Sequence, residues 1–198
     1  IPYLVSMSRA GIRLDPARLI PLAESLASTA ESSQLKAWAS VGTSFNLNSP
    51  EQVARVLFDT LKLLPSKRTK LGFSTDSDVL ETLKDEHEVI KHILEFKRVA
   101  KLKSTYVDTL PKFRGPDGRI RARWQGTRIV TGRIACSDPP LQTQPTRDEE
   151  GRLIRNAFIP DLEPSPGYTF VAADYNQIEL RCLAHISQDA AMLKTYMT

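Results

Sequence analysis

One long run of helix-forming sequence constrains the fold more than any other feature of the chain. Between residues 75 and 110, apolar side chains recur at the spacing of three and four residues that is typical of an α-helix. These apolar positions are Leu80, Leu83, Ile90, Ile93, Leu94, Val99, Leu102 and Tyr106. The spacing predicts a long helical stretch that begins at a cap on Thr75 or Ser77 and breaks within residues 84–88. It indicates an extended helical subdomain.

Shorter signals precede this stretch. A helical start over residues 1–10 is expected to end at Gly11, and Ile12-Arg13-Leu14 alternates like a short strand. Asp15-Pro16 is typical of a helix N-terminus, and the apolar positions that follow predict a helix that continues to about Val41. Ser49-Pro50-Glu51-Gln52 predicts a further helix that opens with a capping box.

The pattern changes after Pro111. Residues 119–124 read Arg-Ile-Arg-Ala-Arg-Trp, which is the alternation of a half-exposed strand with arginine on its polar face. Residues 127–166 are expected to be irregular, and residues 168–173 predict a buried strand. A helix should begin near Asn176 and turn four apolar side chains inward, namely Ile178, Leu183, Ala184 and Ile186.

Positive charge is concentrated in one part of the chain. The segment from Lys97 to Arg133 contains eleven Lys or Arg and only two acids, so its net charge is +9, whereas the whole chain carries +4. The remaining residues therefore sum to −5. A solvated surface usually mixes charges of both signs, so this separation favours a polyanionic partner such as nucleic acid.

Several classes of protein are disfavoured. No run of 18 uncharged apolar residues is present, so the sequence predicts no membrane span. Cys136 and Cys182 form no CxxC pair and are expected to be reduced thiols of an intracellular protein. The three histidines lack the spacing of a zinc site.

Two carboxylates stand out near residue 175. Asp174 follows the apolar run Phe170-Val171-Ala172-Ala173, and Glu179 lies between Ile178 and Leu180. A carboxylate at a strand end is well placed to bind a hard divalent ion, although Asp at such a junction commonly caps the next helix instead. Glu179 is equally consistent with a first-turn carboxylate that the helix dipole stabilises. Residue pattern alone leaves both alternatives open.

The stretch DYNQIELRCLAHIS, residues 174–187, resembles motif A of the family A DNA polymerases, which reads close to DYSQIELR. Asn176 in place of serine is the single change within the eight-residue core. Further segments resemble the same family in the same order: Phe45 to Ser49, Val56 to Phe58, Lys101 to Tyr106, Thr131 to Arg133, Ser137 to Pro139, Leu141-Gln142 and Arg152 to Phe158. The resemblance covers nearly the whole chain.

This resemblance implies an α+β fold, namely an incomplete right-hand polymerase fold. Residues 1–14 would form an entry segment at the palm edge, residues 15–110 a mainly helical thumb, and residues 111–198 the first segment of an antiparallel-sheet palm, ending just after motif A. The implied activity is template-directed addition of dNTPs to a primer 3′-OH on primer–template DNA, with two Mg²⁺ ions.

The resemblance also implies roles for residues of motif A. Asp174 would bind both metal ions, and the backbone carbonyl of Tyr175 would help to hold metal. Glu179 would act as a steric gate that excludes a ribose 2′-OH, and Gln177 and Ile178 would line the incoming nucleotide together with Tyr175 and Glu179. Arg181 would have a structural or phosphate-positioning role.

Contacts to DNA are implied for residues outside motif A. Arg133 matches a minor-groove contact near the primer terminus, and Gln142 matches a contact on the template side. Thumb contacts to the duplex are implied for Lys101, Lys103, Ser104, Thr105, Ser74, Thr75 and Asn48. The sequence departs from the family at Pro140 and Thr143, where asparagines are usual, and at Cys136, where serine is common.

The family's fingers helix and its second metal-binding aspartate are not found in these 198 residues. We therefore expect activity to need a second polypeptide, or the remaining fingers and palm, within a bacterium, a phage-infected cell or an organelle. The alternatives are a non-catalytic DNA-binding or regulatory relic of a polymerase and a single-subunit RNA polymerase. The presence of both Asp174 and Glu179 argues against the relic, and Glu179 argues against the RNA polymerase.

Overall fold

The computed structural model describes residues 2–65, 68–69, 72–146, 148–160 and 169–196. The α-helices are α1 Pro2–Ala10, α2 Ile20–Val41, α3 Pro50–Ala54, α4 Ser77–Thr82, α5 Glu88–Leu102, α6 Glu149–Asn156, α7 Ile178–Ser187 and α8 Ala190–Tyr196. The strands are β1 Ile12–Leu14, β2 Arg68–Thr69, β3 Gly72–Phe73, β4 Arg119–Ile120, β5 Arg123–Gln125, β6 Ala135–Ser137 and β7 Phe158–Ile159. Helices and small antiparallel sheets confirm the α+β prediction. The chain divides into two compact units, Ile1–Glu163 and Pro164–Thr198.

The predicted ends of the first two helices, at Gly11 and near Val41, are confirmed, whereas α2 begins at Ile20 and not at Pro16. Gly11 ends α1 with a φ of 64°, and a Cβ atom there would lie 2.6 Å from the carbonyl oxygen of Ile120. The carboxylate of Asp15 accepts a hydrogen bond of 3.1 Å from the backbone N–H of Ala17, which opens a 3₁₀ turn over Pro16–Leu19. Helix α2 ends at Gly42, whose φ is 73°. Glycine adopts this left-handed conformation at little cost.

The capping predictions for the next two helices are only partly right. Ser49 accepts a hydrogen bond of 3.4 Å from the N–H of Gln52, as expected, but the side chain of Gln52 accepts from the N–H of Asn46 instead of closing a capping box. Asp76, and neither Thr75 nor Ser77, holds the N-cap position of α4. The reason is that Ser74 directs a local turn: its hydroxyl donates to the Asp76 carboxylate and accepts from the Asp76 N–H.

The long helical stretch breaks where predicted. Helix α4 ends at Thr82, residues 83–86 form turns, and α5 begins at Glu88. His87 starts α5, because its Nδ1 accepts a hydrogen bond of 3.1 Å from the N–H of Val89. After Leu102 the helix widens into a π-helical segment, Lys103–Val107, and a 3₁₀ turn follows at Leu110–Phe113.

Helix α5 contributes to both apolar cores of the first unit. The first core surrounds the α2–α5 pair and the α3 region, and its fully buried members include Leu47, Val53, Leu57, Leu80, Ile90 and Ile93. The second core contains Leu14, Leu26, Val99, Leu102, Leu110, Ile120 and Ile154, among others. The second core thus includes residues from both sides of the expected boundaries at 14 and 110, which stay predictions.

The burial pattern predicted for the arginine-rich residues 119–124 is confirmed, but these residues do not form one continuous strand. Ile120 and Ala122 are buried, whereas Arg121 and Arg123 are exposed, as the alternation predicts. However, β4 pairs with β1 and β5 pairs with β6, so the chain leaves one sheet between Ile120 and Arg123 and joins another. Strand β1 also pairs with β7, which gives the sheet order β4-β1-β7.

The prediction that residues 127–166 are irregular is wrong for part of this range. Helix α6 occupies Glu149–Asn156, and β6 and β7 lie on either side of it in sequence. Asp148 caps α6 by accepting a hydrogen bond of 2.8 Å from the N–H of Gly151. An Asp followed by two glutamates is the usual signal for a helix start, so the sequence did contain the information.

In the second unit, the strand predicted for residues 168–173 is not found among the described residues. Residues 169–175 form no strand, and Val171 is 89% exposed; Tyr168 lies outside the described residues. A strand needs a hydrogen-bonded neighbour, and none pairs with this stretch in the part of the chain that is described. Helix α7 is confirmed, but of the four side chains predicted to face inward only Ala184 is buried.

Candidate nucleic-acid interface and catalytic carboxylates

The basic end of α5 carries the predicted thumb contacts. Lys101 and Ser104 are exposed, and Thr105 and Lys103 are half-buried. The ammonium group of Lys103 lies 2.8 and 2.9 Å from the two carboxylate oxygens of Asp108, so part of its charge is compensated. A change from α- to π-helical hydrogen bonding begins at Lys103, and such changes are frequent at functional sites.

Ser74 and Thr75 occupy a different environment from the other predicted thumb residues. Both are only 4% exposed. The ammonium group of Lys97 on α5 donates a hydrogen bond of 2.5 Å to the backbone carbonyl of Thr75. Burial lowers the pKa of Lys97 below its usual 10.5, and the nearby Asp76 opposes that effect. Lys97 therefore holds this segment on α5, while a contact from Ser74 or Thr75 to DNA stays a prediction.

Asn48, the remaining predicted thumb contact, is exposed. Its backbone N–H donates a hydrogen bond of 2.9 Å to the side chain of Asn46. This hydrogen bond fixes the backbone of the loop before α3 and leaves the Asn48 side chain at the surface.

The hairpin formed by β5 and β6 brings Arg133 and Gln142 into one loop region. Arg133 lies in the exposed turn that connects the two strands, directly after Gly132, whose φ is 79°. The amide nitrogen of Gln142 donates a hydrogen bond of 2.9 Å to the carbonyl oxygen of Ile134. Gln142 is therefore hydrogen-bonded to the residue next to Arg133, and the two predicted DNA contacts, Gln142 and Arg133, lie in the same loop region.

Some of the basic side chains that give the segment from Lys97 to Arg133 its charge of +9 form hydrogen bonds within the protein. Arg119 donates to the carbonyl oxygen of Ala10 at 2.7 Å, and Arg121 donates to that of Arg9 at 2.9 Å. Both carbonyls lie at the C-terminus of α1, where a cation stabilises the helix dipole. Arg121 also forms a two-pronged hydrogen bond with Asp117, which holds the pKa of that carboxyl well below its usual range. These arginines therefore have structural partners.

Asp174 and Tyr175 lie in the exposed, irregular stretch before α7. The alternative that Asp174 caps α7 is not supported, because the N-cap position belongs to Gln177, which adopts a left-handed conformation with φ 52°. No side-chain hydrogen bond caps α7 in the described residues. Asp174 is thus separated from the first residue of α7 by three residues.

Glu179 lies in the first turn of α7, directly after Ile178, and both side chains are exposed. This position is compatible with stabilisation by the helix dipole. Arg181 donates a hydrogen bond of 2.9 Å to the carbonyl oxygen of Asn176 and another to the carbonyl oxygen of Tyr196 at the end of α8. Arg181 therefore fixes the turn that follows Asp174 and ties α7 to α8.

The donors at this position suit magnesium only in part. Asp174 and the Tyr175 carbonyl offer hard oxygen atoms of the kind that Mg²⁺ prefers, together with water and substrate phosphates. Among the residues that the structure describes, however, no three His, Cys, Asp or Glu side chains are grouped closely enough to hold a metal ion.

The described helices include none that is long and apolar enough to cross a membrane.

Comparison with known proteins identifies the family. The sequence profile described as DNA polymerase family A matches residues 17–198. The chain belongs to DNA polymerase family A. It is 40% identical over 194 residues to DNA polymerase I of Geobacillus stearothermophilus, covering 98% of this chain and 22% of that protein. It is 43% identical over 196 residues to DNA polymerase I of Synechocystis sp., covering 98% of this chain and 20% of that protein.

A solved structure of the same family also resembles the chain. It is the POL domain of Pol1 from M. smegmatis in complex with DNA primer-template and dNTP, with a TM-score of 0.82 and 38% identity. The match covers 94% of this chain and 33% of that one. The chain thus spans about a fifth of the length of its curated polymerase relatives and shares the fold of one part of a family A polymerase.

Pro140 and Thr143, two positions where the resemblance led us to expect asparagine, contact each other. The hydroxyl of Thr143 donates a hydrogen bond of 3.0 Å to the carbonyl oxygen of Pro140. Cys136, the third departure, makes a contact of 3.4 Å with the carbonyl oxygen of Pro139. The loop is therefore closed by internal hydrogen bonds at two positions where the resemblance led us to expect asparagine.

Proposed function

We propose that this chain is part of a DNA-dependent DNA polymerase that adds dNTPs to the 3′-OH of a primer. The observation that carries the proposal is the family match over residues 17–198, which includes the segment with Asp174 and Glu179. The relative from M. smegmatis, whose structure contains primer-template and dNTP, supports the same substrates. In this proposal residues 15–110 are the thumb, residues 111–198 the first palm segment, and residues 1–14 the entry to the palm.

Asp174 and the backbone carbonyl of Tyr175 would hold Mg²⁺. When bound, two such ions supply an activated 3′-hydroxyl and charge stabilisation for the leaving pyrophosphate. Asp174 is exposed and is held apart from the helix that follows, so its carboxylate oxygens are accessible to a ligand. A second carboxylate would come from another part of the polymerase, or from a second polypeptide.

Glu179 would discriminate against ribonucleotides. A side chain that fills the space of a 2′-OH rejects the larger sugar by exclusion. Its position in the first turn of α7 keeps it one residue from Ile178 and two from Gln177, which would line the incoming nucleotide together with Tyr175.

The basic end of α5 would grip the duplex backbone. Lys101, Lys103, Ser104 and Thr105 would supply contacts without sequence preference, while Arg133 would contact the minor groove and Gln142 the template strand. Arginine can donate hydrogen bonds to the N3 and O2 acceptors that every base pair presents in the minor groove, so Arg133 would test pair geometry and not sequence. Ser74, Thr75 and Asn48 would support this grip.

Primer extension tests the catalytic proposal. The chain is combined with the polypeptide that supplies the remaining fingers and palm, and incorporation of dNTPs with Mg²⁺ is measured. Asp174→Ala should lower the rate at least about a thousandfold, because a metal ligand is lost. Asp85→Ala, which removes an exposed acid paired with Lys91, should leave the rate unchanged. Extension by Asp174→Ala at the wild-type rate would show that the catalytic assignment of Asp174 is wrong.

Duplex binding tests the electrostatic part of the proposal. Affinity for a primer–template duplex should fall steeply with salt, and Lys101→Ala should reduce the salt slope by about one. Lys36→Ala, an exposed lysine on α2, is the matched control and should leave the slope unchanged. A flat salt response of the wild-type chain would rule out a backbone grip.

A further inference from the structure

Arg98 is the centre of an ionic network that joins two distant parts of the first unit. Its guanidinium donates to both carboxylate oxygens of Glu95 at 3.0 Å, within α5. It also donates to Glu150 of α6 at 2.9 Å, across 52 positions of sequence, and lies 3.6 Å from Asp148. We call these four residues the Arg98 network. It connects α5, which carries the basic residues, to the start of α6.

The Arg98 network adjoins the C-terminal end of segment 141–146, the segment that contains Gln142. Asp148 uses one carboxylate oxygen to cap α6 and the other to face Arg98. Gly151 makes this region tight, because a Cβ atom there would lie 2.6 Å from Asp148 Oδ1 and 2.8 Å from the Pro145 backbone. Arg98, Pro145 and Asp148 line one cleft of about 730 Å³ beside α5. The first turn of α6 therefore packs against the end of segment 141–146.

We propose that Arg98 is a positioning residue that fixes segment 141–146, and with it Gln142, relative to the basic end of α5. This inference rests on the proposed function, in which Gln142 contacts the template strand and Lys101 contacts the duplex. A duplex held by both would need them at a constant separation. The Arg98 network provides that constraint from one end of the segment, and the hydrogen bond from Gln142 to Ile134 holds the Gln142 side chain against the β5–β6 hairpin.

Arginine suits this role better than lysine. A guanidinium offers five donors in a planar fork, so it can serve Glu95 with two parallel bonds and still reach Glu150. A lysine ammonium could satisfy one partner well but could not repeat this arrangement. The side chain of Arg98 is 38% exposed, and its partners Glu95 and Glu150 are 40% and 29% exposed, so solvent screens each pair in part.

Two measurements on the intact chain test the proposal. The first is hydrogen exchange of backbone amides in residues 141–151 without DNA. The second is affinity for a fluorescent primer–template duplex, at a temperature where circular dichroism shows every variant folded. Arg98→Ala and Glu150→Gln should each speed exchange and weaken duplex binding by about fivefold. Arg98→Lys should fall between these variants and wild type.

The matched control is the pair of Arg55 and Glu51 on the α3 region, which lies 2.9 Å apart and is well exposed. Arg55→Ala removes a similar ion pair that does not touch segment 141–146, so both readouts should stay at wild-type values. A double variant, Arg98→Ala with Glu150→Gln, should be no worse than Arg98→Ala alone, because the two side chains act through one contact.

The outcomes separate this inference from the proposed function. Unchanged exchange in residues 141–151 of both Arg98→Ala and Glu150→Gln would overturn the positioning role, and so would additive effects in the double variant. A loss of affinity without faster exchange would also overturn it, since Arg98 would then act on DNA directly. If the wild-type chain bound no duplex, the proposed function would fail, and exchange alone would decide whether Arg98 fixes the segment.

Discussion

The phenolic hydroxyl of Tyr106 donates a hydrogen bond of 2.5 Å to the backbone carbonyl of Thr143, which lies 37 positions further along the chain. Tyr106 is in the π-helical segment after α5, and its ring belongs to the second core. The bond therefore joins the end of the long helical stretch to the loop region that holds Gln142. Together with the Arg98 network, it gives segment 141–146 two anchors on the same helical stretch.

Removing this hydroxyl should weaken the fold. Tyr106→Phe keeps the ring in the core but leaves the Thr143 carbonyl without this donor, so the free energy of unfolding should fall by about 1–2 kcal/mol. Urea denaturation followed by circular dichroism measures the change. Tyr3→Phe is the matched control, because Tyr3 is 85% exposed, and it should leave the stability unchanged. Equal stabilities of the two variants would contradict the importance of the bond.

A methyl group at residue 151 should be poorly tolerated. In Gly151→Ala the new Cβ would lie 2.8 Å from the backbone of Pro145, which cannot move aside as a flexible side chain could. We expect a loss of about 1–3 kcal/mol, the usual cost of overpacking. Gly126→Ala is the comparison, because its nearest neighbour is the end of the Leu4 side chain at 3.3 Å. Thermal unfolding that shifted equally in both would show that backbone contact is not the cause.

Gln144 should be replaceable with a gain in stability. Both polar atoms of its amide are buried and have no hydrogen-bond partner among the described residues. A buried amide without partners costs about 1–3 kcal/mol, and methionine has a similar volume without that cost. Gln144→Met should therefore raise the free energy of unfolding by about 1 kcal/mol. Gln34→Met, at a half-buried site on α2, should change it much less; the opposite order would show that Gln144 has a partner in solution.

Stability should fall on acidification through the Arg98 network. The hydrogen bond from Arg98 lowers the pKa of Glu150 below its usual 4.5. A carboxyl whose pKa is lowered on folding contributes stability above its ordinary pKa, and this contribution is lost as the pH falls from 4.5 through the lower folded value. Because Glu150 is partly exposed, the loss should be below about 1 kcal/mol. Glu150→Gln should flatten the pH dependence of the free energy of unfolding in this window, and an unchanged pH dependence in this variant would contradict the prediction.

Sugar selectivity should depend on Glu179. In the completed polymerase, Glu179→Ala would open space for a 2′-OH, and discrimination between dNTP and rNTP should fall by about tenfold or more. The ratio of kcat/KM values for the two nucleotides measures this. Glu149→Ala, at an exposed acid of α6, serves as the control. An unchanged ratio in Glu179→Ala would remove the steric-gate proposal while leaving the role of Asp174 open to its own test.

Features that depend on neighbouring residues were predictable from the sequence. Asp15 with Pro16 begins the 3₁₀ turn that leads into α2, and Gly42 ends α2 directly after Val41, where the helix was predicted to end. Both features depend on contacts within a few residues. The apolar stripe of α5 was predictable for the same reason. Asp148 at the start of α6 is an equally local signal.

Features that depend on distant partners were not predictable. The alternation of residues 119–124 identifies which side chains are buried, but it does not reveal that Ile120 pairs with Ile12 whereas Trp124 pairs with Cys136. Residues 169–173 have the composition of a buried strand, yet a strand forms only beside another strand. The contacts of Arg98 with Glu150 and of Tyr106 with Thr143 likewise join residues that are far apart in sequence.

The two ends of α5 pack into different apolar cores, so the number of residues in this helix is constrained. Its first half packs Ile90 and Ile93 into one core, and its last turns pack Val99 and Leu102 into the other. Inserting or deleting one residue between Ile93 and Val99 would rotate the last turns by about 100° relative to the first, because an α-helix has about 3.6 residues per turn. Apolar side chains would then turn to water and Lys101 would leave its face of the helix. Many residues of α5 can therefore vary in identity, but its number of residues should tolerate no change.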